Sequence, residues 1–242
     1  MKIKPAVFFI ISAVIFSCTG NDMDTLLRSG TKKMREQNYA GAIDDYTRAI
    51  KMKPQFDSVY WFRGNVYKLQ LNYKAALADY TKAIEFNPVY ADAYNSRSIM
   101  KGILGDTKGE EADLNKVLEI DSTYYRAWYN RGNLWYDRGD FERALADYTH
   151  AIALKGDYDK AFFNRANCYD EQKKYAEAIS DYNSYFQFSA DSLKPELLAE
   201  GYYLRGQDHL MLGDTAAACA DWKTADARGF AKAKEGLKKV CN

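Results

Sequence analysis

Histidine and cysteine are scarce in this 242-residue chain, at two and four residues, and the spacing of the abundant charged residues decides which chemistry is open to it. The two histidines, His150 and His209, have no cysteine or carboxylate at metal-ligand spacing. No phosphate-cradling glycine loop, nucleophile elbow or pair of catalytic carboxylates stands out from the sequence. The expectation is a protein without catalysis, metal or cofactor. What does recur is charge. Arg63, Arg97, Arg131, Arg165 and Arg205 keep one register, and Asp45, Asp79, Asp113, Asp147, Asp181 and Asp221 keep another. Ser29 stands where a sixth arginine would precede the others. Pairing each arginine with the aspartate after it would strand Asp45, whereas pairing it with the aspartate before it uses Asp45 to Asp181 in full, and so predicts a ladder between successive repeats: Asp45–Arg63, Asp79–Arg97, Asp113–Arg131, Asp147–Arg165 and Asp181–Arg205. Asp221 is then left for the chain end, where Lys239 falls in the arginine register. Solvated pairs of this kind are worth ~0–1 kcal/mol each. If they are buried, removing one partner costs about 3–5 kcal/mol, because the other charge is stranded.

A second pairing is predicted among the cysteines. Cys219 and Cys241 lie eleven residues on either side of Phe230, so antiparallel helices that turn there bring them to one level. In an oxidising compartment a disulfide closing such a loop contributes about 3 kcal/mol. Cys168 is left unpaired, as a small core hydrophobe.

These registers require elements that repeat. In Arg126 to Lys155, Trp128, Trp135, Leu145, Tyr148, Ile152 and Leu154 fall at helical spacing, and Gly139-Asp140 divides the stretch into two helices. A step of 34 residues finds the same pattern again: Gly30, Gly64, Ser98, Gly132 and Ala166 align, as do Tyr46, Tyr80, Leu114, Tyr148 and Tyr182. After six further residues Gly206 and Trp222 take those two places. Gly132 opposite Ala144 is expected to let the helices of one hairpin approach. Tyr148 and Ala151 present a face that only a following hairpin can cover, so several units must stack. Asn38, Asn72, Asp106, Asp140 and Asp214 open the second helices as N-caps, each worth ~1 kcal/mol over alanine, with Lys174 as the exception. Glu110 replaces the alanine of the other units, which marks residues 107 to 111 as a soft spot. Tyr185 replaces another alanine, and with the insertion 193–198 it predicts a changed stacking angle. Pro195 suits a first helical turn, so the insertion should lengthen the next helix backwards from Gly201.

The 34-residue period, with its small residues and aromatics at fixed places, resembles the tetratricopeptide repeat family. The resemblance covers 23–232 as six units, 23–56, 57–90, 91–124, 125–158, 159–192 and 199–232. It implies an all-α, right-handed superhelix of six hairpins, which a helix within 231–242 would cap with Lys232, Lys234, Lys238 and Lys239 on its wet side. In this family the first helices line a concave groove, and ligand contacts come from fixed places of the unit. Carried over, place five holds Leu27, Trp61, Asn95, Tyr129, Phe163 and Tyr203, and place nine holds Thr31, Asn65, Ile99, Asn133, Asn167 and Gln207. Aromatics then stand beside amides able to satisfy both the N–H and C=O of an extended backbone. The same residues could instead pack on one another along the superhelix. The lysines and arginines with which chaperone-adaptor members clamp a C-terminal carboxylate are missing, since Asp24, Ser58 and Asp92 hold place two of the first three units.

At the start of the chain, Lys2 and Lys4 precede an apolar run from Ala6 to Phe16, which has the length of a signal-peptide core. Ser17-Cys18 at its end resembles the lipobox of bacterial lipoproteins, with the bulky Phe16 a departure. The resemblance implies removal of 1–17, acylation at Cys18 and a short tether, 18–22. Each buried methylene contributes about 0.8 kcal/mol, and stable anchoring takes more than one acyl chain. The expected place is the envelope of a Gram-negative bacterium, facing periplasm or cell surface. Without Lys2 and Lys4, 32 basic residues face 33 acidic ones, which gives no electrostatic footprint for nucleic acid. The partner expected is another protein or a peptide segment, with the membrane met only through lipid. A glycan-binding accessory lipoprotein and an architectural, self-associating protein are the alternatives. Oligomeric state is left open.

Overall fold

The computed structural model describes residues 18–189 and 195–241; the expected signal peptide 1–17 lies outside them, as do residues 190–194 of the insertion region. Thirteen helices follow one another among the described residues, with no strand. They are α1 (Cys18–Arg35), α2 (Tyr39–Met52), α3 (Asp57–Leu69), α4 (Tyr73–Phe86), α5 (Ala91–Ile103), α6 (Thr107–Ile120) and α7 (Tyr125–Asp137). Then come α8 (Phe141–Leu154), α9 (Asp159–Glu171), α10 (Tyr175–Ser189), α11 (Pro195–Met211), α12 (Thr215–Ala227) and α13 (Ala233–Val240). Residues 18–22, expected as a tether, are helical and open α1. α11 does begin at Pro195, six residues before Gly201. No described helix is long and apolar enough to cross a membrane.

Two compact units divide between Asp106 and Thr107, inside the third sequence repeat, where Glu110 interrupts the small-residue pattern. In the first unit α1 pairs with α2 and α3 with α4, with α5 packed on α4. In the second, α6 leads into the pairs α7–α8, α9–α10 and α11–α12, and α13 closes on α12. Hairpin turns pass through a left-handed residue, Gln37, Leu71, Gly105, Gly139, Lys173 or Gly213. Glycine enters that conformation without a Cβ penalty, so three of these turns carry some strain. Side chains of Asn38, Asn72, Asp140 and Asp214 accept from backbone N–H groups three residues on, at 3.1, 3.3, 3.2 and 2.9 Å.

The glycine at place eight makes room for a ring of the second helix. A Cβ on Gly132 would stand 2.6 Å from the Tyr148 ring, and one on Gly64 2.7 Å from that of Tyr80. Tyr46, Tyr80, Tyr148 and Tyr182 are all fully buried; opposite the first three a glycine lets the ring lie against the first helix of its own hairpin, and Tyr182 packs with Ala166.

The charge ladder expected between repeats does not form; the pairs close within repeats. Arg63 forks Asp79 with Nε and Nη2, both at 2.8 Å. Arg131 forks Asp147 at 2.8 and 2.9 Å, Arg165 forks Asp181 at 2.7 and 2.8 Å, and Arg205 forks Asp221 at 2.8 and 2.6 Å. The sixteen-residue separation places each pair at one level of an antiparallel hairpin, whereas the sequence reading counted partners instead of levels. Asp45, which pairing within repeats was expected to strand, is held by Lys33 at 2.7 Å and by the Ser29 hydroxyl at 2.6 Å. Its carboxyl lies below the ordinary range: burial pushes it up, and these two hydrogen bonds and the Lys33 and Arg48 charges overcome that. Asp221 belongs to Arg205 and not to Lys239.

A crossing between repeats nonetheless exists, made by the third guanidinium nitrogen. Nη1 of Arg63, Arg131 and Arg165 donates to Thr47 Oγ1, Asn115 Oδ1 and Thr149 Oγ1 of the preceding repeat at 3.0, 2.8 and 3.0 Å. Arg97 reaches Thr81 at 3.5 Å, and Arg205 reaches Asn183. One planar fork therefore fixes a hairpin and its join to the hairpin before it, a geometry that lysine cannot reproduce.

Candidate functional site

In the first unit the expected groove residues are largely consumed by packing. Trp61 on α3 is half-buried, and its Nε1 donates to Ser96 Oγ at 3.0 Å and to the Asp92 carbonyl at 3.3 Å. Its ring meets Phe62 and Tyr90. Asn95 on α5 is 7% exposed, which places it in the interior and not on a groove wall. Asn65 keeps one half of its amide: its Oδ1 accepts the Tyr80 hydroxyl at 2.8 Å.

In the second unit the same bond recurs and builds a site. Tyr148 donates to Asn133 Oδ1 at 2.8 Å and Tyr182 to Asn167 Oδ1 at 2.6 Å. Asn164, one place beyond the aromatic of α9 and not anticipated from sequence, donates Nδ2 to Asn133 Oδ1 at 2.8 Å and to the Tyr129 hydroxyl at 3.1 Å. Tyr129 touches Tyr148 and Tyr158 edge-on or tilted, and Phe163 touches Tyr182 and Tyr185. Both place-five rings are therefore half-buried packers with one edge outward. Burial raises the Tyr129, Tyr148 and Tyr182 hydroxyls above the ordinary phenol range, so they remain neutral donors.

A cavity of about 340 Å³ opens above this network, lined by Asn133, Tyr136, Asp137, Tyr148, Asn164 and Asn167. With Oδ1 of Asn133 and Asn167 committed to tyrosine, the Asn167 Nδ2 makes no bond to protein among the described residues, while the Asn133 amide also hydrogen-bonds the Tyr129 hydroxyl. The wall thus offers amide donors and the Asp137 carboxylate. The two-sided amides expected from sequence are reduced to their donating half. A column of hydroxyls and amides at place twenty-five and Asn164 at place six were the missed signals; the first is visible once the repeats are aligned, and the second is not, because place six varies in type.

α11 departs from this scheme. Trp222 stands in for the tyrosine, and its Nε1 donates backwards to the Tyr203 carbonyl at 3.1 Å. Gln207, left without a hydroxyl, is exposed and lies 3.3 Å from the Tyr203 hydroxyl. Tyr203 packs on Trp222 and Phe230. Cys219 and Cys241 are joined in a disulfide across α12 and the end of α13. Cys168 is a buried free thiol, and burial and the Glu171 charge push it up to about 12, which leaves it unreactive.

Models described as tetratricopeptide repeat match residues 27–91, 125–158 and 159–191, together more than half of the chain. No curated protein matches it significantly. Among solved structures, pilF of Pseudomonas aeruginosa is similar at 15% identity and TM-score 0.79, over 91% of this chain and 99% of that one. PilW, described as a type IV pilus biogenesis factor, is similar at 22% identity and TM-score 0.73, covering 85% of this chain and 92% of that one. YrrB, described as having an unusual peptide-binding site, is similar at 19% identity and TM-score 0.64, over 80% of this chain and 97% of that one. At these identities the likeness concerns the fold. On its repeats and on its hairpin architecture, the chain belongs to the tetratricopeptide repeat family.

Proposed function

We propose that this protein is a non-catalytic scaffold, exported and lipid-anchored through Cys18, that holds an extended segment of a partner protein against α7 and α9. The observation that carries the binding reading is the cavity of about 340 Å³ with amides fixed on successive repeats along its wall, the Asn167 Nδ2 among them still unspent. Carbonyl oxygens of an extended chain are acceptors at regular spacing, which suits donors fixed on successive repeats. Fixing the donors beforehand through Tyr148 and Tyr182 lowers the ordering cost of binding. The peptide-binding description of YrrB, a similar fold, is consistent with this use. The anchor reading rests on the sequence before Cys18.

A photo-crosslinking residue at Tyr136, on the cavity wall, should capture a discrete protein partner in intact cells, and the same residue at Trp128, which stacks on His150, should not. Equal capture at both positions, or capture of glycan alone, overturns the segment-binding reading. For the anchor, Cys18→Ala should move the protein out of the salt-washed membrane fraction or stall its processing. A normally processed variant that stays with the membrane would show that Cys18 carries no lipid.

A further inference from the structure

The second unit contains a buried acid that the binding reading does not use. At place ten four of the other five repeats bury an apolar residue, Val66, Met100, Leu134 or Cys168, and the first has the exposed Lys32. On α11 that place is Asp208, 1% exposed, and neither carboxylate oxygen has a partner that an ionised acid can use. Its neighbour is the half-buried Asp170 of α9. Two carboxylates are acceptors only and repel. A single proton converts the contact into an O–H donated by Asp208 to the Asp170 carboxylate. From α10 the group that faces the pair is Tyr182, a neutral hydroxyl already donated to Asn167. α12 brings Asp221 against α11, where Arg205 holds that carboxylate and His209, the neighbour of Asp208 on α11, stands 4.0 Å from it and 4.0 Å from Asp214. No lysine, arginine or histidine forms an ion pair with Asp208 among the described residues.

We propose that Asp208 and Asp170 share one proton and act as a pH-sensitive latch on the packing of α11 against the preceding repeat, closed when Asp208 is neutral and loosened when it ionises. Burial first, then the hydrogen bond to Asp170 and the Asp170 charge, hold the Asp208 carboxyl far above its ordinary range, at about 8. The folded pKa is raised above the unfolded one. The stabilisation is therefore fully present below the ordinary carboxylate range and is lost as pH rises through the folded value. Asp170 and Tyr203 also line a cavity of about 620 Å³ with Trp222 and the α13 residues Glu235 and Lys239, so loosening α11 alters a second surface recess.

The test compares thermal midpoints of the full mature chain between pH 6 and 9. The wild type should lose several degrees across that range. Asp208→Asn, which can donate to Asp170 but cannot ionise, should flatten the slope, and Asp208→Leu, copying Leu134, should flatten it also. An unchanged slope in Asp208→Asn overturns the latch. Should the variants fail to fold, hydrogen exchange on the wild type decides: after correction for intrinsic rate, α11 amides should lose protection at pH 9 relative to α3. Uniform protection in α3 and α11 across the range overturns it equally.

Discussion

The hairpin of α7 and α8 and the hairpin of α11 and α12 share a charge frame but differ in what fills it. Both carry the bidentate arginine, Arg131 on Asp147 and Arg205 on Asp221, and in both the third nitrogen reaches the preceding repeat. In the first hairpin a tyrosine hydroxyl fixes an amide at the groove, and Leu134 fills the core beside it. In the second, Trp222, Gln207 and Asp208 replace all three residues. The changes are coupled. An indole has its donor on the side facing the Tyr203 carbonyl, so no hydroxyl reaches place nine and the glutamine is free to turn outward. The terminal hairpin is instead closed by the disulfide and by α13, with Gly236 against the Trp222 ring. The frame thus tolerates exchange of the groove chemistry, because the arginine fork and the tyrosine–amide bond are separate devices on separate faces.

The largest effect tests the shared frame. Asp147 is a buried partner in a fork whose arginine is itself only 20% exposed, so Asp147→Ala should cost about 3–5 kcal/mol by stranding Arg131. Asp221→Ala should cost about the same, since the fork geometry matches. Urea unfolding monitored by helical circular dichroism measures both, provided the transition is two-state. If Asp221→Ala costs less than half as much, the terminal hairpin opens by itself and the two hairpins are not equivalent.

What could be read from the sequence follows the distance over which each feature is decided. The 34-residue period, the hairpins and the N-caps are local, and the helices α1 to α12 pair or stack within each unit as such a pattern demands. Counting levels from Phe230 put Cys219 opposite Cys241, where the disulfide lies. The arginine ladder failed because the aspartates were counted as a set; the level argument that served the cysteines would have paired residues sixteen apart. It also overlooked that Lys33 can stand in for a missing arginine. Groove polarity was only half legible. Residue type shows that Asn133 has both a donor and an acceptor, but which half is spent depends on the reach of Tyr148 from the other helix. Asp208 was passed over since aspartate is common in these helices, and only alignment with Leu134 and Cys168 exposes it as a core position.

The smallest expected effect separates the two groove chemistries. Tyr148→Phe keeps the ring against Gly132 and removes only the hydroxyl, so the loss should be that of one hydrogen bond, about 1 kcal/mol. Asn133 Oδ1 would not be left bare, because Asn164 Nδ2 still donates to it at 2.8 Å. In the terminal hairpin Gln207→Ala should fall within about 0.5 kcal/mol of wild type, since the side chain is exposed and its contact is long. Denaturant midpoints at constant slope give both numbers. The informative comparison is with crosslinking from Tyr136. Loosening Asn133 in Tyr148→Phe should weaken capture at the cavity while Gln207→Ala leaves it intact. Should Gln207→Ala abolish capture as well, the partner's path runs past α11, and the tyrosine-fixed amides are not what selects it.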